Sequence, residues 1–163
     1  MNDHRYKEEV VASYKSEYNI LIETGTYNGE MVEAQRSNFK MVYSIELSNH
    51  LYINAYKRFA DFKNVIILQG DSAEWLTTLV SVLTEPALFW LDAHYSGGNT
   101  AMGDSPCPLL GELDSIINSP FAHGILIDDA RCFGTTKGFP GLSDISDIIG
   151  DFTITNDIIW KSL

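Results

Sequence analysis

The sequence predicts an α/β protein, a parallel sheet with helices on both faces. Short apolar runs alternate with amphipathic stretches along the chain, the pattern of successive strand–helix units. One apolar run, 20–22, leads into Glu23-Thr24-Gly25-Thr26-Tyr27-Asn28-Gly29-Glu30, a strand, a glycine turn and a helix start. Successive strand ends also carry acids: Glu23, Glu46, Asp71, Asp92 and the pair Asp128-Asp129. In a parallel sheet these gather at the carboxyl edge, where open α/β sheets bind ligands.

Taken in order, residues 8–18 set Val10, Val11, Tyr14 and Tyr18 on one helical stripe. A strand at 20–22 and a helix at 30–37 follow, then a strand at 41–46. A helix at 49–59 carries Leu51, Tyr52, Ala55, Tyr56 and Phe59 on one face, with Ser48 as its N-cap. A strand at 65–68 and a helix at 73–83, with Leu76, Leu79, Val80 and Leu83 inward, come next. The run 87–91 is a buried strand ending at Asp92, and 96–106 is a polar, glycine-containing loop. Pro108 opens a helix through Asn118, since its missing N–H costs nothing in a first turn. A strand at 124–127, a loop at 131–141 and a short helix at 142–149 precede a hairpin, 152–155 and 158–160, about Asn156-Asp157.

The chain reads as one domain, 1–163, long enough to bury a core. A formal net charge of −11 argues against nucleic acid and against an anionic membrane surface, because no basic stripe is present to meet phosphates. No opening apolar run suggests a signal peptide, and no stretch approaches the roughly 20 apolar residues of a spanning helix. Cys107 and Cys132 have neither zinc-site spacing nor a disulfide framework, which fits a reducing cytoplasm.

Gly25 permits a tight turn and Gly29 lets the backbone and helix start approach a ligand. A dinucleotide fingerprint wants a glycine where Tyr27 stands, which counts against an NAD-type site. An acid two residues before the first glycine, as in Glu23-Thr24-Gly25, suits S-adenosylmethionine (SAM), whose ammonium it can hold. Glu46 is placed to accept both ribose hydroxyls. Asp71 can accept from the adenine amine with Ser72 beside it, and Asp71 is an equally good N-cap for the next helix.

Asp92 and His94 leave an apolar strand for the cleft, and Asp128-Asp129 ends the neighbouring strand. Three carboxylates that meet repel one another unless a cation or proton lies between them. Oxygen donors of this kind suit magnesium, which would lower the pKa of a substrate hydroxyl. His94 then takes the proton near neutral pH, with Asp92 beside it in the catalytic group. The competing readings are a loop histidine bonded to backbone, and Arg131 pairing with Asp128 or Asp129 in place of a metal.

Glu23-Thr-Gly25-Thr26-Tyr27-Asn-Gly29, Ser44-Ile-Glu46, Gln69-Gly-Asp71-Ser72, Leu91-Asp92-Ala-His94 and Ile127-Asp128-Asp129 together resemble the class I SAM-dependent methyltransferases, over about 20–160. The resemblance implies a Rossmann-like three-layer α/β/α sandwich, with a seven-stranded, mostly parallel sheet ending in an antiparallel hairpin. Within that superfamily the acids look most similar to those of metal-dependent sugar O-methyltransferases of macrolide and aminocoumarin pathways. That likeness implies a metal on Asp92, Asp128 and Asp129, with His94 as base. It also implies cofactor contacts from Glu23, Gly25, Thr26, Tyr27, Gly29, Glu46, Asp71, Ser72 and Asp92.

The expected function is therefore SAM-dependent O-methylation of a hydroxylated small molecule or sugar, with magnesium help. The alternative is a SAM- or nucleoside-binding module, or partner subunit, without chemistry of its own.

Overall fold

The computed structural model describes residues 3–93 and 107–163; His94 and the predicted loop 96–106 lie outside the described residues. Its elements run α1 Asp3–Ser13, β1 Ile20–Thr24, α2 Glu30–Gln35, β2 Met41–Glu46, α3 Asn49–Phe59, β3 Val65–Gln69, α4 Ser72–Val82 and β4 Ala87–Leu91. After the undescribed stretch come α5 Leu109–Ile117, β5 Gly124–Ile127, a 3-10 turn Ala130–Cys132, α6 Leu142–Ile149, β6 Thr153–Thr155 and β7 Ile158–Ser162.

One seven-stranded sheet forms in the order β3-β2-β1-β4-β5-β7-β6. The first five strands are parallel, and β7 runs antiparallel to both β5 and β6. The expected three-layer, mostly parallel sheet with a terminal hairpin is therefore present. The chain runs outward from β1 to β3 and returns at β4, so strand order reverses between β1 and β4. A crevice at the carboxyl ends of those two strands is where such a sheet takes a ligand.

Both faces of the sheet are covered, which is why the central strands β4 and β5 carry no polar side chain. All five residues of β4 are buried. Phe89 and Leu91 pack with Leu76 and Leu79 of α4, Leu113 and Ile116 of α5, and Ile145 and Ile149 of α6. Their neighbours Leu88 and Trp90 point to the opposite face, with Val11 of α1, Met31 and Val32 of α2, and Ala55 and Phe59 of α3. Each of the larger side chains contributes roughly 1.5–3 kcal/mol by leaving water, more than an exposed ion pair supplies.

Three sequence expectations change. The helix expected over 8–18 starts earlier and stops at Ser13. From there the amides of Tyr14 and Lys15 donate three residues back, to Val11 and Ala12, which tightens the chain into a turn. Tyr14 leaves the stripe to stack on Trp160, with ring centroids 4.5 Å apart. Tyr56, expected on the packed face of α3, is 56% exposed, because Leu51, Ala55 and Phe59 already fill the contact with the sheet. The helix expected over 30–37 ends at Gln35.

Candidate active site

The turn after β1 is built from left-handed backbone. Gly25 has φ +87°, Tyr27 φ +49° and Gly29 φ +78°. Tyr27 thus holds the conformation that a glycine would favour, and its ring is left 47% exposed. Its N–H donates to Glu46 Oε2 at 2.8 Å, and the Ser48 N–H donates to Glu46 Oε1 at 2.8 Å. Glu46 therefore ties β1's turn to the start of α3 before any ligand is considered. Gly25 presses against the end of β4: a Cβ there would lie 2.5 Å from the Asp92 carbonyl oxygen. That contact joins the two halves of the site.

Glu23 is buried beneath the turn. Ser44 O–H donates to its carboxyl, and Thr26 O–H lies 2.6 Å from Ser44 Oγ, completing a short relay across β1 and β2. Burial pushes the Glu23 carboxyl up to about 8, partly offset by the Ser44 hydrogen bond and reinforced by the nearby Glu46 charge. Among the described residues no cationic side chain pairs with it. An acid held in this way accepts a proton or an incoming ammonium.

At the ends of β4 and β5, one oxygen each from Asp92, Asp128 and Asp129 lie within 4.8 Å of one another. The structure brings together the three carboxylates that the sequence singled out. It also brings two cations to them. Lys7, from α1, donates to Asp128 Oδ2 at 2.8 Å and lies 3.6 Å from Asp129 Oδ1. Arg131 Nη1 lies 2.8 Å from Asp129 Oδ1 and also pairs with Asp157. Asp128's second oxygen accepts the Asp129 N–H at 2.7 Å. Burial raises the Asp128 carboxyl above its usual range, as does Asp129, while Lys7 pulls it back down. Asp129 sits at φ +55°, a strained position for a residue with a side chain.

Asp71 is the N-cap of α4, its Oδ1 accepting from Ala73 N–H at 2.9 Å and Glu74 N–H at 3.3 Å. Of the two roles open to it, the structure displays the capping one. Lys7, Ser44 and Asp157 were missed as site residues by sequence reasoning. Lys7 had a legible signal, since it stands three and four positions before Val10 and Val11, on the same helical stripe.

No protein-family model matches the sequence, and no curated protein matches it. Solved structures do. The chain is similar to the O-methyltransferase TomG of Streptomyces achromogenes, involved in tomaymycin synthesis and solved with SAM. The identity is 14%, the match covers 96% of this chain and 78% of TomG, and the TM-score is 0.68. It is similar to the SAH-bound Podospora anserina methyltransferase PaMTH1, at 15% identity over 94% of this chain and 76% of that one, with TM-score 0.67. It is also similar to an rRNA methylase from Streptococcus thermophilus, at 17% identity over 100% and 98% of the two chains, with TM-score 0.59. Against two other methyltransferases the chain spans about half their length, 46% and 49%. Its fold is that of the SAM-dependent methyltransferases.

Proposed function

We propose that the protein is a SAM-dependent methyltransferase acting on a hydroxyl of a small acceptor, such as a sugar. The observation that carries this reading is Glu23, a buried acid without a cationic partner among the described residues. It lies under a left-handed glycine turn at the point where strand order reverses.

Glu23 would hold the methionine ammonium, and Glu46 the ribose hydroxyls through the lone pairs its backbone bonds leave over. Gly25, Thr26, Tyr27 and Gly29 would bring main chain close to the ligand. Ser72, and Asp71 if its outer oxygen is used, would meet the adenine edge, and Asp92 would border the cofactor across from Gly25. Bound there, SAM supplies an electrophilic methyl group. His94, two residues beyond Asp92 in sequence, would take the proton as the acceptor hydroxyl becomes an ether. Holding the partners in line can be worth about 7–11 kcal/mol.

Asp92, Asp128 and Asp129 are the residues that would hold magnesium, which would lower the hydroxyl pKa. The donor type fits a hard cation. The occupancy does not, because Lys7 and Arg131 already engage Asp128 and Asp129, so this mechanism routes no step through a metal.

A small acceptor is favoured over RNA by the net charge of −11, although an rRNA methylase shares the fold. Two free cysteines fit a cytoplasmic setting, and no described helix is long and apolar enough to cross a membrane. The test is calorimetric titration with SAH, followed by labelled methyl transfer from SAM to hydroxylated small molecules and to rRNA. His94→Ala should lower turnover at least about 100-fold, as loss of a general base does, with SAH affinity unchanged. Collapse of SAH binding in that variant would remove the base assignment. SAH binding with no transfer to any acceptor would leave the non-catalytic module, and transfer to rRNA alone would overturn the small-molecule acceptor.

A further inference from the structure

We propose that the Lys7 ammonium is the resident cation of the Asp92–Asp128–Asp129 cluster, standing where a divalent ion would bind and making the site independent of metal. Three features of the geometry point there.

First, the ammonium is 2.8 Å from Asp128 Oδ2 and 3.6 Å from Asp129 Oδ1, so it spans two of the three would-be ligands. Asp128 Oδ1 is used by the Asp129 N–H. A magnesium ion needs its oxygens at about 2.0–2.1 Å in near-octahedral array. Taking Asp128 Oδ2 would set the ion beside the ammonium already in contact with that atom, where the two cations repel at short range.

Second, Lys7 is held in place by its helix. The α1 segment is fixed by Gln35 Nε2 donating to the Glu8 carbonyl at 2.8 Å and by Asn156 Nδ2 donating to Tyr6 Oη at 2.8 Å. Val11 is fully buried a turn further on. The Lys7 side chain is only 13% exposed and Asp128's 3%, so solvent does little to weaken the pair. Withdrawing Lys7 would leave Asp128 buried beside a second carboxylate without its ammonium.

Third, Lys7 is the cation that meets both acids of the pair. Arg131 is shared between Asp129 and Asp157, whereas the Lys7 ammonium faces Asp128 and Asp129 together.

Lys7 is thus a positioning residue. Acting through Asp128, it keeps the cluster compact at the edge of the crevice, where the proposed methyl transfer would take place. Only the consequence for turnover rests on that functional reading; the claim about the cation site stands without it.

The experiment is titration of the intact protein with magnesium by calorimetry and with manganese by electron paramagnetic resonance. It compares wild type, Lys7→Met, which keeps the apolar stem, Lys7→Arg, which keeps the charge, and the double variant Lys7→Met/Asp128→Asn. Wild type and Lys7→Arg should show no saturable binding at millimolar ion. Lys7→Met should bind about tenfold more tightly or better, once a cation in contact with two ligands is gone, and the double variant should lose that gain. Saturable submillimolar binding by wild type would overturn the proposal even if Lys7→Met failed to fold, and absence of it would support the proposal. A folded Lys7→Met that gains no affinity would also overturn it. Once an acceptor is found, chelator should leave wild-type turnover unchanged, and added magnesium should restore that of Lys7→Met. Absence of any methyl transfer would count against the functional reading and leave the result of the titration standing.

Discussion

Burial, with no cationic partner among the described residues, pushes the Glu23 carboxyl up to about 8, and an arriving ammonium reverses that preference. If Glu23 holds the methionine ammonium, SAH binding below pH 8 releases a proton. Affinity should then rise about tenfold per pH unit toward pH 8 and level off above it. Calorimetry in buffers of different ionisation enthalpy reads the released proton directly. A flat profile, or the same profile in Glu23→Gln, would remove the ammonium role. Tyr27 and Asp129 make a related point. Both hold left-handed backbone that glycine would adopt without strain, and each lies in the turn that follows a parallel strand, β1 or β5. Tyr27 stands where a dinucleotide fingerprint carries glycine, and it holds a left-handed φ of +49°.

At the scale of elements, the β1–α2 turn and the end of β4 meet at Gly25. A Cβ there meets backbone, the Asp92 carbonyl at 2.5 Å, and the left-handed φ alone costs an alanine about 1–2 kcal/mol. Gly25→Ala should therefore lower stability by roughly 2 kcal/mol or more, read by urea unfolding. It should also weaken SAH binding as the β1 and β4 ends are forced apart. Unchanged stability would mean that the two turns are not in contact. How far such an element could be read in advance varied. The strands 41–46 and 124–127 and the helices 49–59 and 142–149 match the structure at both ends, since a covered sheet demands apolar runs and a helix shows its period in a short window. Helix α1 was displaced by five residues at its N-terminal end. Its stripe includes Tyr14 and Tyr18, which are packed by the turn and by Trp160 and not by helix continuation.

For the whole molecule, buried acids and a buried histidine pull the pH dependence of stability in opposite directions. Glu23's native pKa lies above its unfolded value of 4.5, so the stability it contributes is full below pH 4.5 and is lost as pH rises to about 8. Asp128, also raised, works in the same sense. His123 is fully buried, accepts the Ala87 N–H on Nδ1 at 3.0 Å, and is lowered from 6.5 by burial. Its contribution is full above pH 6.5 and is lost as pH falls through its native pKa. Thermal unfolding without ligand should therefore show stability falling between pH 6.5 and 8, and Glu23→Gln should flatten that limb. An unchanged limb in Glu23→Gln would assign it to another group.

The sequence by itself determined the sheet, its covered faces, the glycine turn and the row of acids along the carboxyl edge. Each of these is written in local periodicity, or in the residues that end a strand. Only the tertiary structure decided how those acids are satisfied. Lys7 reaches Asp128 across 121 residues, and Ser44 meets Glu23 across 21, distances over which no local pattern reports. Asp71 had two physically equal uses until the start of α4 displayed one. A carboxylate's position follows from its strand, but its partner is whatever charge the folded chain brings within about 4 Å.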